Sequence, residues 1–371
     1  MCPAFVKAFS FLFRQRADTW TITSGLSRLT NFYVLMKRVF CFGEMLLRMS
    51  PVLNGVWIKN AAIPVYIGGA ELNVANALAK WAVPVQYCSA VPDNYLSKEI
   101  LSDLQKKNID TTPVIFSGNR IGAYYLPQGT DLKNAGVIYD RAYSSFSELK
   151  PGSINWMEML KDACWFHFSA ISPALNEDAA MVCREAVMAA SKMGITISVD
   201  LNYRAKLWQY GKKPVEVMPE LVQYCDMVMG NIWSANSLLG IELDTTIHNK
   251  KSKEAYLHLA TVTANNIFQA FPQCKRVANT FRFDAGDGIQ YYAALNEKGE
   301  QYVSREFSID KVVDKVGSGD CFMAGLIYGK YSNNGPQQIV DFSAAAAVGK
   351  TQEIGDATKQ SVEDVNKRLS K

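Results

Sequence analysis

The sequence predicts an α/β fold in which a mostly parallel central sheet is flanked by helices, with a small β-flap as a lid outside it. Three observations predict it. Short apolar, β-branched or aromatic runs recur from residue 39 onward. Helical patterns separate several of them, which is the alternation that builds parallel sheets covered on both faces. One region, residues 112–142, breaks the alternation with β-formers and turn residues that show no helical period.

In chain order the strand-like runs are VFCFGEMLL (39–47), VQYCSAVP (85–92), CWFHFSAI (164–171), ITISVDLN (195–202), DMVMGN (226–231) and RVANTF (276–281). AELNVANALAKWA (70–82) and NEDAAMVCREAVMAASKMG (176–194) read as helices between them. VWIKNAAIPVYIGG (56–69) joins residues 112–142 as the strands of the lid. A last strand-like segment, SREFSIDKVVDKV, delivers the chain to GSGDC, and FMAGLIYGKY continues as helix. Ligands of such sheets collect beyond the carboxyl ends of the strands, where a flap can cover them.

Composition narrows the function. The chain has 371 residues, 49% hydrophobic and 20% charged, which suits a large globular α/β domain. Its net charge of +4 comes from 39 basic and 35 acidic residues. Residues 1–35 hold Lys7, Arg14, Arg16 and Arg28 against Asp18, so the remainder is close to neutral. No basic stripe marks a nucleic-acid partner, and no run of 18 apolar residues marks a membrane span. Eight cysteines without a CxxC pair, and only three histidines, exclude zinc-ligand spacing and make no protein metal site expected. Buried reduced thiols, and hence a cytoplasmic location, are the default. The opening MCPAFVKAFSFLFRQRAD is basic and acid-poor, but Lys7 interrupts its apolar stretch and no cleavage site follows. Met36 leads straight into a strand, so residues 1–35 are expected to be an extension and 36–371 the domain.

The chemistry concentrates at Gly317-Ser318-Gly319-Asp320. Glycines at a helix start leave N–H groups pointing outward, and the helix dipole adds positive potential there. That is an anion hole suited to phosphoryl oxygens. Asp320 at its rim is placed to take a proton from an attacking hydroxyl. The tetrapeptide alone is equally compatible with an ordinary aspartate near a glycine-rich helix start.

The wider string D-x-V-G-S-G-D-C-F-x-A-G resembles the C-terminal signature of the ribokinase-like (PfkB) carbohydrate kinases, with Ser318 where alanine is usual. YIGGAELNVANALAKW resembles the N-terminal signature of the same family, with Gly69 and Asn73 in the sugar-binding positions. The resemblance covers residues 37–371 and implies a ribokinase-like three-layer fold in which the two signatures converge. Within the family, FGEMLLRMSP and DLNYRAKLW (200–208) resemble the 2-keto-3-deoxygluconate kinases.

That resemblance implies ATP and magnesium as cofactors, phosphorylation of a terminal primary hydroxyl, and a homodimer through the lid. It places Tyr124, Tyr139 and Arg141 around the sugar acid, with Arg204 serving carboxylate and phosphate. The alternative for Arg204 is a structural pair with Asp200, and for each tyrosine packing of the flap. An acidic substrate needs a cation near its carboxylate, and Arg141 and Arg204 are the two candidates. Asn231 begins Asn-Ile-Trp-Ser, so Ser234 stands where the family carries a glutamate. Thr280 and Arg282 in ANTFRFDAGDG are expected to substitute on the nucleotide side, together with the Gly317 and Gly319 amides. Ser343–Val348 is a small-residue helix, suited to an adenine or to close helix packing. The alternatives are a kinase for a neutral ketose such as fructose, and a non-catalytic sugar-acid sensor supported by Ser234.

Overall fold

A computed structural model describes residues 37–51, 62–127, 136–244 and 252–370. The chain enters through β1 (Arg38–Phe42), β2 (Leu46–Met49) and β3 (Val65–Gly68), then α1 (Ala70–Lys80) and β4 (Val85–Cys88). β5 (Ala90–Val91), α2 (Tyr95–Lys106), β6 (Ile109–Asp110), β7 (Ile115–Phe116), β8 (Gly122–Tyr125) and β9 (Ile138–Asp140) follow. Next come α3 (Trp156–Met159), β10 (Ala163–Ser169), α4 (Glu177–Lys192), β11 (Thr196–Asp200), α5 (Pro214–Val222), β12 (Met227–Gly230) and α6 (Ile232–Leu239). The C-terminal part holds α7 (Lys253–Ala270), β13 (Arg276–Ala285), β14 (Gly288–Glu297), β15 (Glu300–Val303) and β16 (Phe307–Ile309). Three helices close it: α8 (Ser318–Tyr331), α9 (Pro336–Lys350) and α10 (Val362–Leu369).

The main sheet runs β15-β14-β13-β12-β11-β10-β1-β4-β6, with β16 also paired to β14. From β13 to β6 the pairing is parallel; β14, β15 and β16 add antiparallel hairpins at one edge. Strand β1 shows why its sequence is continuously apolar. Val39 and Cys41 enter a core shared with α1, α2, α8, α9 and α10. Phe40 and Phe42 point the other way, into a core shared with α3, α4, α5, α6 and α7. A strand buried on both faces has no polar side to alternate with. The order of strands reverses between β1 and β10, so a crevice opens at their carboxyl ends.

The lid is a separate four-stranded sheet, β3-β2-β8-β9. Its central strand was not expected. VFCFGEMLL is not one strand: β1 ends at Phe42, and Gly43–Met45 carry the chain out of the main sheet into β2. Only Gly43, Glu44 and Met45 separate the two, a break too short to stand out from the apolar run, and Glu44, its one polar residue, is buried. Of the expected lid segments, 56–69 supplies β3 and 112–142 supplies β8 and β9, while β7 pairs with β5 instead. Residues 56–61 and 128–135 of those segments, and the extension 1–35, lie outside the described residues. SREFSIDKVVDKV contributes only the three residues of β16. Ser343–Val348 is fully buried, and Gly325 of α8 packs directly on Ser343. Close helix packing accounts for those small residues.

Candidate active site

A cavity of about 470 Å³ opens at the carboxyl ends of β11 and β12, between the lid and the start of α8. The site residues expected from the sequence line it: Gly69, Asn73, Tyr124, Tyr139, Arg141, Arg204, Asn231, Thr280, Arg282 and Gly317 through Asp320; Ser234 and Ser343–Val348 do not.

Two backbone turns shape its floor. Gly69 caps α1 at φ 132°, and a Cβ there would lie 2.3 Å from the Glu44 carbonyl oxygen. Gly317 caps α8 at φ 80°, and its Cβ would lie 2.0 Å from the carbonyl oxygen of Asp356. Both positions need glycine for its left-handed freedom and for its size. The two turns meet through side chains 247 residues apart: Asn73 Nδ2 donates to Asp320 Oδ2 at 2.7 Å. Asn73 Oδ1 is buried and without a partner among the described residues, an acceptor left over for a ligand hydroxyl.

Asp320 is the third residue of α8 and is buried. Burial pushes its carboxyl up to about 7; Glu71 and Asp356 push the same way, while the Asn73 hydrogen bond and the Arg204 charge pull back. Desolvation therefore outweighs the helix start, which favours the anion. A carboxylate of that pKa exchanges a proton near neutral pH.

The two arginines differ. Arg141 is buried in a two-point pair with Glu44, with Nε 2.6 Å and Nη2 2.5 Å from Oε2, and the Ser144 hydroxyl also donates to Glu44. Arg204 is half-buried and donates to the Tyr203 carbonyl oxygen at 3.0 Å; among the described residues it makes no ion pair. Tyr124 places its hydroxyl 2.9 Å from Asp356 Oδ2, donating to it, and its ring centre lies 6.4 Å from that of Tyr139. On the far side, the Asn231 side chain caps α6 by accepting from Ser234 N at 2.9 Å. Thr280 and Arg282 lie on β13, and Lys315 pairs with Asp284 at 2.9 Å beside them.

Sequence reasoning passed over several of these groups. Glu71 is buried between strand ends, its Oε1 accepting from Ser169 N and Ser169 Oγ at 2.8 and 2.6 Å. Asp356, Glu44 and Lys315 were also missed. FGEMLLRMSP did contain Glu44 and Arg48, but nothing local identified their partners.

An amide-lined helix start beside a carboxyl that ionises near neutrality suits the transfer of an anionic group to an alcohol. The cavity, of sugar size and rimmed by hydrogen-bonding side chains, makes this a kinase of the carbohydrate type. The chain belongs to the pfkB family of carbohydrate kinases, whose model matches residues 36–363. Among solved structures it resembles a 2-dehydro-3-deoxygluconokinase from Thermotoga maritima, at 32% identity and a TM-score of 0.81, covering 90% of this chain and 100% of that one. It is 26% identical over 330 residues to a 2-dehydro-3-deoxygalactonokinase of Haloferax volcanii, spanning 88% of this chain and 95% of the relative. It is also 26% identical over 296 residues to a 2-dehydro-3-deoxygluconokinase of Bacillus subtilis, spanning 78% and 82%.

Proposed function

We propose that this kinase transfers the γ-phosphoryl group of ATP to the terminal primary hydroxyl of 2-keto-3-deoxygluconate (2-dehydro-3-deoxygluconate). The observation that carries the chemistry is the buried Asp320–Asn73 contact at the start of α8. Asp320 takes the proton of the sugar hydroxyl as its oxygen bonds to phosphorus and the bond to the ADP oxygen breaks. The Gly317–Gly319 N–H groups and Arg204 hold the negative charge that gathers on the transferring oxygens. Asn73 Oδ1 and the two tyrosines orient the sugar, and Gly69 lets it approach the backbone. Asn231, Thr280 and Arg282 flank the nucleotide. The lid excludes water, so that ATP is not simply hydrolysed.

Among the described residues no cluster of three His, Cys, Asp or Glu side chains stands ready for a metal ion. Magnesium would arrive on the nucleotide, held mainly by phosphates and water, since it dehydrates reluctantly. Bound there, it neutralises phosphate charge.

The acid specificity rests on Arg204, because the Arg141 charge is already met by Glu44. A cation in the cavity without an ion pair favours a carboxylate over a neutral ketose. The relatives named for the gluconate and for the galactonate compound are both named for sugar acids. Exposed Val65 and Ile138, on the two edge strands of the lid, support a homodimer through that sheet. No helix among the described residues is long and apolar enough to cross a membrane. The cysteines described are free thiols, and the cytoplasm is the location we propose.

A coupled assay of ADP release, run with 2-keto-3-deoxygluconate, its galactonate epimer, fructose and no sugar, tests the reading. The highest catalytic efficiency is expected on a sugar acid. Fructose leading the panel would establish the neutral-ketose alternative. Sugar-acid binding without turnover would establish the sensor.

A further inference from the structure

Lys350 ends α9 and is fully buried, yet the mechanism above does not use it. Its Cε lies 3.3 Å from the point where a Cβ on Gly317 would stand, so its side chain underlies the turn that forms the anion hole. Among the described residues its ammonium donates one hydrogen bond, to the Glu353 carbonyl oxygen at 3.2 Å. The residue after it is stitched to the segment that leads into that turn: the Thr351 carbonyl accepts from Val313 N and Asp314 N at 2.9 and 3.1 Å.

The charges around this point explain what the amine does. The Asp314 carboxylate accepts from Val316 N at 3.0 Å and from Gly355 N at 3.2 Å, which braces the turn from behind. Arg48 of lid strand β2 pairs with both Asp314 and Asp356 at 2.8 Å. One guanidinium against two buried carboxylates leaves a net negative charge behind the Gly317 turn. Lys350 brings that set to neutrality. Without it, the ground beneath the anion hole would repel the group it must hold.

We propose that Lys350 is a positioning residue for phosphoryl transfer: its buried ammonium fixes the Gly317 turn and keeps the underside of the anion hole from turning negative. This rests on the kinase reading of the same site. It acts through the turn, so it should govern turnover and leave substrate affinity alone.

Titration offers a readout that packing does not. Burial lowers the Lys350 pKa below its ordinary 10.5, opposed by Asp314, Glu353, Asp356 and Cys321. The ammonium, and with it the activity, is lost as pH rises through that lowered value. The neighbours do not confuse the limb. Asp320 is already ionised above about 7, the Cys321 thiol is pushed by burial up to about 12, and Arg48 stays charged.

The experiment begins with turnover of the parent enzyme on 2-keto-3-deoxygluconate and ATP, where absence of any turnover would count against the kinase reading itself. In an active parent, kcat is expected to fall as pH rises, starting below the range of an ordinary lysine; a profile that stays flat up to that range would overturn the proposal without any variant. Lys350→Met keeps length and removes charge. It should lower kcat by about 10- to 100-fold, less than or comparable to loss of a direct anion-hole donor. KM for both substrates should stay within about twofold, and the alkaline limb should vanish, on the same principle of charge held at the turn. Parent-like kcat in Lys350→Met, or an alkaline limb that survives in it, would show that the lysine only fills space.

Discussion

Asp320→Asn separates catalysis from stability and predicts opposite signs for the two. The substitution keeps size and the acceptor for Asn73 Nδ2, and removes the proton acceptor. Turnover should fall by ~10²–10⁴, the range for loss of a general base. On its acid side the parent kcat should rise about tenfold per pH unit up to about 7 and then level off until the alkaline limb set by Lys350, because only the ionised carboxyl accepts a proton. The variant should lack that acid limb.

Stability moves the other way. The carboxyl has a pKa of about 7 in the folded chain, against about 3.9 when unfolded. The folded state therefore holds the proton more tightly. Below pH ~4 both states are neutral and nothing is lost. As pH rises toward 7 the unfolded chain ionises first, and folding loses on the order of 4 kcal/mol in all, three pKa units at about 1.4 each. Asparagine avoids that penalty. Urea denaturation of parent and variant should show a gain for the variant that is about 2–3 kcal/mol larger at pH 8 than at pH 5. Near-parent turnover would remove Asp320 as the base. An equal gain at both pH values would mean that the carboxyl is not ionised against its burial.

The remaining predictions use the same cavity. Arg141→Ala strands the buried Glu44 without its cation, so denaturation should show a loss of about 3–5 kcal/mol. Arg204→Ala breaks no ion pair and should melt close to the parent, but catalytic efficiency on the sugar acid should fall about 10- to 100-fold; an equal loss on fructose would mean that it meets phosphate alone. Tyr124→Phe leaves Asp356 short of a donor and should lower unfolding free energy by about 1–3 kcal/mol. Gly317→Ala forces a Cβ onto the Asp356 carbonyl at φ 80°, and kcat should drop by about 100-fold or more as the amides lose their aim; turnover near the parent level would show that the turn relaxes freely.

What could be read from the sequence and what could not divides along a physical line. The parallel sheet was legible because strands buried on both faces are apolar throughout, and β10, β11 and β12 sit within a residue or two of where their runs predict. The two glycine turns were legible because each carries its demand locally, in residues that must be glycine and in the helix that follows. Strand β2 was hidden because the chain turns between sheets in only three residues, Gly43–Met45, whose one polar member, Glu44, is buried. The charged partners were hidden for a different reason. Arg141 meets a carboxylate 97 residues away, and Arg48 meets Asp314 at a separation of 266. Sequence displays the cations but not which of them are already neutralised. Counting Arg141 and Arg204 as two cations for an acidic substrate therefore overstated the case: one is bound into the wall by Glu44. On the proposed reading, specificity for a sugar acid narrows to Arg204, and that is why a single substitution, with its effect compared between an acid and a neutral sugar, is enough to decide it.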